Sequence, residues 1–159
     1  MKVGVVGVGW AGRQHIEAYD AIDGVELIGI AGLEEDVRAE LVAEHRVPHD
    51  FARWEDLLEL DGLDAISVAV PTFLHAPIAV AALERGLHVL SEKPIALSGE
   101  QADEMVRAAR DAGRVLEVVA GVLLIAAAVL LPVGALIVLG LLAGRVLRRR
   151  RRERALGPA

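Results

Sequence analysis

Val3-Gly4-Val5-Val6-Gly7-Val8-Gly9-Trp10-Ala11-Gly12 runs from an apolar segment straight into three glycines spaced as G-x-G-x-x-G. A continuous apolar run is what a strand needs when both faces of a parallel sheet are covered. The glycines then have separate tasks. Gly7 permits the tight turn out of the strand. Gly9 lets the backbone approach a pyrophosphate with no Cβ in the way, and Gly12 lets the next helix pack close to the strand. The helix start at Trp10 and Ala11 offers unpaired N–H groups and a partial positive charge to phosphate oxygens. Without a ligand the same residues make only a glycine-rich turn. The strand before and the helix after favour dinucleotide binding, with NAD or NADP as cofactor. Trp10 either shields the pyrophosphate or caps the sheet edge.

Outward from this loop, helical and extended patterns alternate. A helix is expected from Ala11 to Ile22, a turn at Asp23-Gly24 and a second buried strand from Val25 to Ala31. Glu34 to His45 has helical spacing, with Val37, Leu41 and Val42 on one face, and Pro48 stops it. Trp54 to Leu60 reads as a short helix. Ala65 to Val70 reads as a strand stopped by Pro71, and Phe73 to Arg85 as a helix with Gly86 at its C-terminal cap. Leu87 to Leu90 is a further strand. Ser98 opens a helix to about Ala112, with Gln101 placed for a capping box. Gly113 ends it, and Val115 to Val119 reads as one more strand. This alternation specifies an α/β fold with a doubly wound parallel sheet, helices on both faces.

Charge divides the chain. Residues 1–117 carry 10 Lys/Arg and 22 Asp/Glu, a net of −12. That acidity argues against nucleic-acid binding. The absence of cysteine excludes disulfides and thiolate metal sites, and no residue is assigned to a metal. The apolar start is too short and too glycine-rich for a signal peptide, so this part is expected to fold in the cytoplasm.

Recognition of the ribose usually falls to an acidic residue about 20 positions after the glycine loop. Here the end of the second strand is Gly32, followed by Glu34 and Glu35. Either carboxylate reaches the ribose, or both sit in a solvated first helical turn that suits the helix dipole. Arg38 is the nearest arginine for a 2′-phosphate. The choice between NAD and NADP stays open.

Two further segments close strands on the rim where open α/β sheets bind ligands: Val70-Pro71-Thr72-Phe73-Leu74-His75 and Ser91-Glu92-Lys93-Pro94. With the glycine loop and the run Ala81-Ala82-Leu83-Glu84-Arg85-Gly86-Leu87-His88-Val89-Leu90, they make residues 1 to about 119 resemble the glucose–fructose oxidoreductase, inositol dehydrogenase and MocA family. The resemblance implies a Rossmann domain for NAD or NADP at 1–119 and an oxidoreductase acting on a sugar, polyol or related hydroxy compound. It implies that Lys93 lies near the nicotinamide and assists proton transfer, with Glu92 orienting it. It implies that Pro94 follows a cis peptide. Pro71, Thr72 and His75 join the cofactor rim, and His75 is a second catalytic candidate, with local packing at a helix start as its plainer alternative. A surface ion pair is the plainer alternative for Glu92 and Lys93. His15, in the first helix, reads as structural or exposed.

Such enzymes continue into an α+β domain that supplies most substrate contacts and oligomerises. This sequence instead enters residues 120–144, 25 positions without a charge. As a helix they extend about 37 Å, enough to cross a bilayer core of about 30 Å. Residues 145–154 follow with seven Arg and one Glu. The reading is therefore a cofactor domain, a membrane-spanning helix and an Arg-rich tail at 145–159. The positive-inside rule places the arginines in the cytoplasm, which conflicts with a cytoplasmic cofactor domain on a single span. The alternatives are a non-catalytic, membrane-associated dinucleotide-binding module and a fused or frame-altered gene product. On the oxidoreductase reading, an oligomer or a partner chain supplies the substrate surface.

Overall fold

The computed structural model describes residues 1–113. The membrane span expected at 120–144, the Arg-rich tail and the strand expected at 115–119 lie outside those residues. Among the described residues, no helix is long and apolar enough to cross a membrane.

Among the described residues five strands form one parallel sheet: β1 (Lys2–Val6), β2 (Glu26–Ala31), β3 (His49–Phe51), β4 (Ala65–Val68) and β5 (His88–Ser91). Their spatial order is β3-β2-β1-β4-β5. The chain thus winds outward from β1 in one direction and then crosses back to wind in the other. Ligands bind at this reversal in open α/β sheets. The helices are α1 (Trp10–Asp20), α2 (Glu35–His45), α3 (Trp54–Leu58) and α4 (His75–Glu84). A single 3-10 turn, Thr72–Leu74, leads into α4. A further helix, α5, covers 99–113.

Both sheet faces are covered, as the apolar runs require. On one face Val5 and Ile30 pack with Ile16 of α1 and Leu41 of α2. On the other, Val6, Ile28, Ile66 and Val68 pack with Leu57 and Leu58 of α3 and Ile78 and Ala82 of α4. Val5 and Val6, adjacent in sequence, therefore serve opposite cores, the two-residue period of a strand. Met105 of α5 closes a third cluster with Ala76 and Ala79 of α4.

β3 is the element that sequence reading passed over. Its three residues, His-Asp-Phe, lie at the sheet edge and have no apolar run to signal them. Other differences are at boundaries. The helix expected from Phe73 starts as the 3-10 turn and becomes α-helical only at His75. α2 ends at Arg46, which takes a left-handed φ of 54° two residues before Pro48. Gly86 adopts φ 78°, as a helix-terminating glycine does. At the start of α5 the Gln101 N–H donates to Ser98 Oγ at 3.3 Å. The return bond goes to the N–H of Leu97 at 3.0 Å rather than to that of Ser98. The capping box is thus displaced by one residue on that side.

A candidate dinucleotide site at the carboxyl ends of three strands

Hydrogen bonds carry the sheet one step past its strands. Gly7 N–H donates to Ala31 O at 2.8 Å, Ala69 N–H to Val6 O at 2.8 Å and Glu92 N–H to Val68 O at 2.9 Å. The glycine loop, the segment after β4 and the segment after β5 therefore stand side by side on one rim.

The three loop glycines meet different surroundings. Gly7 has φ 105°, and a Cβ there would lie 2.2 Å from Ala69 O. At Gly12 a Cβ would lie 1.8 Å from Gly7 O, so strand and helix touch backbone to backbone. At Gly9 a Cβ would have nothing within 4 Å. Space above Gly9 is open, while the other two glycines serve the fold itself. The start of α1 has no side-chain cap and no acidic residue in its first turn. Its free N–H groups and the open space above Gly9 fit a pyrophosphate. Trp10 is 80% exposed, so it does not cap the sheet edge and remains open to cover a ligand on the loop.

At the ribose end, a Cβ on Gly32 would come within 2.6 Å of Val8 Cγ2. Val8 is buried, so an acidic side chain does not fit at that position without repacking the loop. Glu34 precedes α2 with its side chain exposed and makes no capping hydrogen bond. Arg38 is buried and committed: Nε donates to Asp50 Oδ2 at 3.0 Å, and Nη1 donates to the Gly32 carbonyl at 2.6 Å.

Lys93 is exposed just past β5, and the Lys93-Pro94 bond is cis, as the resemblance implied. Its backbone N–H donates to Glu92 Oε2 at 3.1 Å. Glu92 Oε1 accepts from His15 Nε2 at 3.1 Å. The N–H of Lys93 first, and then the His15 ring, hold the Glu92 carboxyl below the usual carboxylate range. Glu92 thus binds local backbone and ring, and no ion pair joins it to the Lys93 ammonium among the described residues.

His75 lies elsewhere than a catalytic reading requires. It is 1% exposed. Nδ1 is 2.9 Å from Pro94 O, and Nε2 is 2.8 Å from Val70 O. Both partners only accept; a neutral ring serves one of them and a doubly protonated ring serves both. The ring ties the segment after β4 to the segment after β5, behind the rim, with no nitrogen left for a substrate. Pro71 and Thr72 begin the turn on the rim itself, exposed and half-buried respectively. The brace has a measurable cost. His75→Leu removes a ring that donates to at least one of these carbonyls and fills the space between them, at about 1–3 kcal/mol for a buried group left unpaired. The thermal midpoint should fall by on the order of 10 °C. An unchanged melt would show that the ring carries no structural role.

Sequence reading placed His15 without a function and gave Ser67 none. The structure brings His15 to Glu92 and Ser67 to the other nitrogen of the His15 ring. A serine within the otherwise apolar strand Ala65-Ile66-Ser67-Val68 was the available signal, because a hydroxyl buried there needs a partner.

The family comparison agrees with this geometry. Residues 1–120 match the family model described as an oxidoreductase family with an NAD-binding Rossmann fold. The chain belongs to the GFO/IDH/MocA oxidoreductase family. UDP-N-acetylglucosamine 3-dehydrogenase of Acidithiobacillus ferrooxidans is 36% identical over 118 residues, covering 74% of this chain and 36% of the relative. The NADP(+) scyllo-inositol 2-dehydrogenase IolU of Bacillus subtilis is 29% identical over 116 residues, covering 73% of this chain and 35% of the relative. Among solved structures, GenD2 from gentamicin A biosynthesis, in complex with NAD, superposes with a TM-score of 0.68 at 31% identity, over 71% of this chain and 32% of that one. The chain spans about a third of the length of the curated relatives it matches. NAD or NADP is the cofactor of this fold.

Proposed function

We propose that residues 1–113 form the cofactor-holding part of an NAD(P)-dependent dehydrogenase that acts on a hydroxyl of a sugar, polyol or related compound. The observation that carries this reading is the rim itself: open space at Gly9 after β1 and an exposed Lys93 after β5, on the same edge of the sheet. Gly7, Gly9, Trp10, Ala11 and Gly12 hold the pyrophosphate, and Glu34 serves the ribose. Pro71, Thr72 and Glu92 line the rim towards the nicotinamide. His75 acts from behind the rim as a brace rather than as a catalytic group. The bound dinucleotide supplies a hydride acceptor or donor. Lys93 holds the proton side of the reaction: neutral, Nζ takes the hydroxyl proton as the carbon loses hydride; protonated, it returns that proton in the reverse direction. A Lys serves this better than an Arg because its pKa moves with surroundings.

The ribose end favours NAD. A 2′-phosphate would meet Glu34, Glu35 and Asp36 at the start of α2, while Arg38 is already held by Asp50 and Gly32. One like-charge contact worth about 1.4 kcal/mol is a tenfold preference. Titrating NADH and NADPH into the full chain, followed by nicotinamide fluorescence, should show saturable binding with NADH about tenfold tighter. Supplying scyllo-inositol or UDP-N-acetylglucosamine with the oxidised cofactor then tests turnover. A folded chain that binds neither nucleotide removes the proposal. Binding without turnover favours a second reading, a non-catalytic dinucleotide-binding module associated with a membrane through residues 120–144. What supports that reading is the uncharged composition of the segment and the arginines after it.

A further inference from the structure

Ser67 of β4, His15 of α1 and Glu92 after β5 form one hydrogen-bonded line from the sheet core to the rim. Ser67 Oγ contacts His15 Nδ1. His15 Nε2 lies 3.1 Å from Glu92 Oε1, and the other oxygen of that carboxylate receives the Lys93 N–H at 3.1 Å. A carboxylate only accepts, so Nε2 must carry the ring proton that faces it. In the neutral ring Nδ1 is then the acceptor, and the Ser67 hydroxyl donates to it. The chain of donors runs in one direction, from Ser67 through His15 to Glu92.

Serine, histidine and a carboxylate also make up nucleophilic triads. That role does not fit here. Ser67 is 0% exposed in the middle of the sheet, so no substrate carbon reaches its oxygen. The histidine bonds the serine and the carboxylate in the triad manner, but the open end of the line is the carboxylate, and the carboxylate ends on the backbone of Lys93.

We infer that His15 is a positioning residue for Lys93. With its tautomer set by the Glu92 carboxylate and its other nitrogen held by Ser67, it clamps that carboxylate so that the carboxylate fixes the Lys93 N–H on the rim. The inference rests on the dehydrogenase reading above for the importance of Lys93, though its geometry stands without it. The physical case is leverage. Lys93 follows β5 on a short, exposed segment, and its side chain makes no hydrogen bond or salt bridge among the described residues that would aim it, only a longer-range attraction to Glu92. Orientation must come from the backbone, and a misplacement of about 1 Å at a reacting group costs on the order of a hundredfold in rate. His15 comes from the helix that the glycine loop starts, three residues after Gly12. The same helix that receives the pyrophosphate thus sets the lysine that faces the other end of the cofactor.

The test uses the full chain with 15N labelling, read by ring nitrogen shifts of His15 and the amide proton of Lys93. The expected wild-type ring carries its proton on Nε2, and the Lys93 amide proton lies downfield, as a carboxylate-bound N–H does. Glu92→Gln and His15→Leu should each move that amide upfield. His15→Gln, which puts an amide N–H near the Nε2 position, should restore it. Loss of a general packing contact would give no such rescue. A ring protonated on Nδ1, or a Lys93 amide that stays put in both Glu92→Gln and His15→Leu, overturns the inference. NADH titration of the same samples keeps the two ideas apart: a wild-type chain without affinity sinks the dehydrogenase reading, whereas an Nδ1–H ring sinks the role of His15 alone.

Discussion

Gly9→Ala is expected to leave the melting of the free chain within about 2 °C of the parent while cutting NADH affinity about 100-fold. Gly12→Ala, three residues on, is expected to lower the melting midpoint by on the order of 10 °C or to prevent folding. The chemical change is the same methyl group; the surroundings differ. The backbone at Gly9 has φ −71° and ψ −170°, which alanine adopts freely, and nothing lies within 4 Å of the added carbon. What that carbon occupies is the approach to the N–H groups at the start of α1. A pyrophosphate pushed off two charge-assisted bonds worth about 1.5 kcal/mol each loses two decades of affinity. At Gly12 the added carbon falls 1.8 Å from Gly7 O, which is backbone and has no rotamer to change. Relief requires α1 to move away from β1, and with it Ile16, which packs on Val5 and Ile30. A small overpacking of a core costs about 1–3 kcal/mol; this contact is backbone on backbone and belongs at the top of that range or above it. The pair is read by circular dichroism melts and nucleotide fluorescence on the same preparations. Equal loss of stability in both variants would mean that Gly9 is structural, and the open loop would no longer point to a ligand.

Lys93→Ala is expected to leave NADH affinity within about threefold while lowering any turnover by about 10²- to 10⁴-fold, the contribution of a positioned general acid or base. Lys93 is exposed and makes no side-chain bond among the described residues, so its removal leaves the fold without a gap. Lys93→Arg should fail to rescue. The guanidinium keeps its proton at all working pH values and cannot take one from a hydroxyl. Steady-state absorbance of the nicotinamide, with polyol or sugar concentrations spanning the KM, separates kcat from KM. A Lys93→Ala chain with undiminished kcat would end the proposal for this residue. Rescue by arginine would change it, from proton transfer to electrostatic support of an alkoxide.

These expectations draw unequally on the sequence. The glycine spacing, the apolar runs and their separation by helical patterns were sufficient for a doubly wound parallel sheet, because each is a local requirement. A strand buried on both faces must be apolar throughout. A helix packed backbone to backbone on that strand must begin with a glycine at the contact. The loop at Gly7, Gly9 and Gly12 was legible for the same reason, and so was the place of Lys93 at a strand end. β3 was not legible, since an edge strand of three residues buries too little to impose a pattern.

Tertiary structure alone decided how the residues behind the rim are used. His15 and Glu92 are 77 residues apart, and His15 and Ser67 are 52 apart. Their meeting depends on β4 lying between β1 and β5, a fact of strand order. The same holds for His75, whose ring joins two segments on neighbouring strand ends and is thereby withdrawn from solvent. At the ribose end, only three-dimensional packing shows that Val8 fills the space over Gly32 and that Arg38 is already held by Asp50. Sequence by itself determined the elements and the loop, because those follow from local conformation and periodic burial. The partners of each polar side chain were settled by the order in which the strands assemble, because a hydrogen bond depends on distance in space and not on separation along the chain.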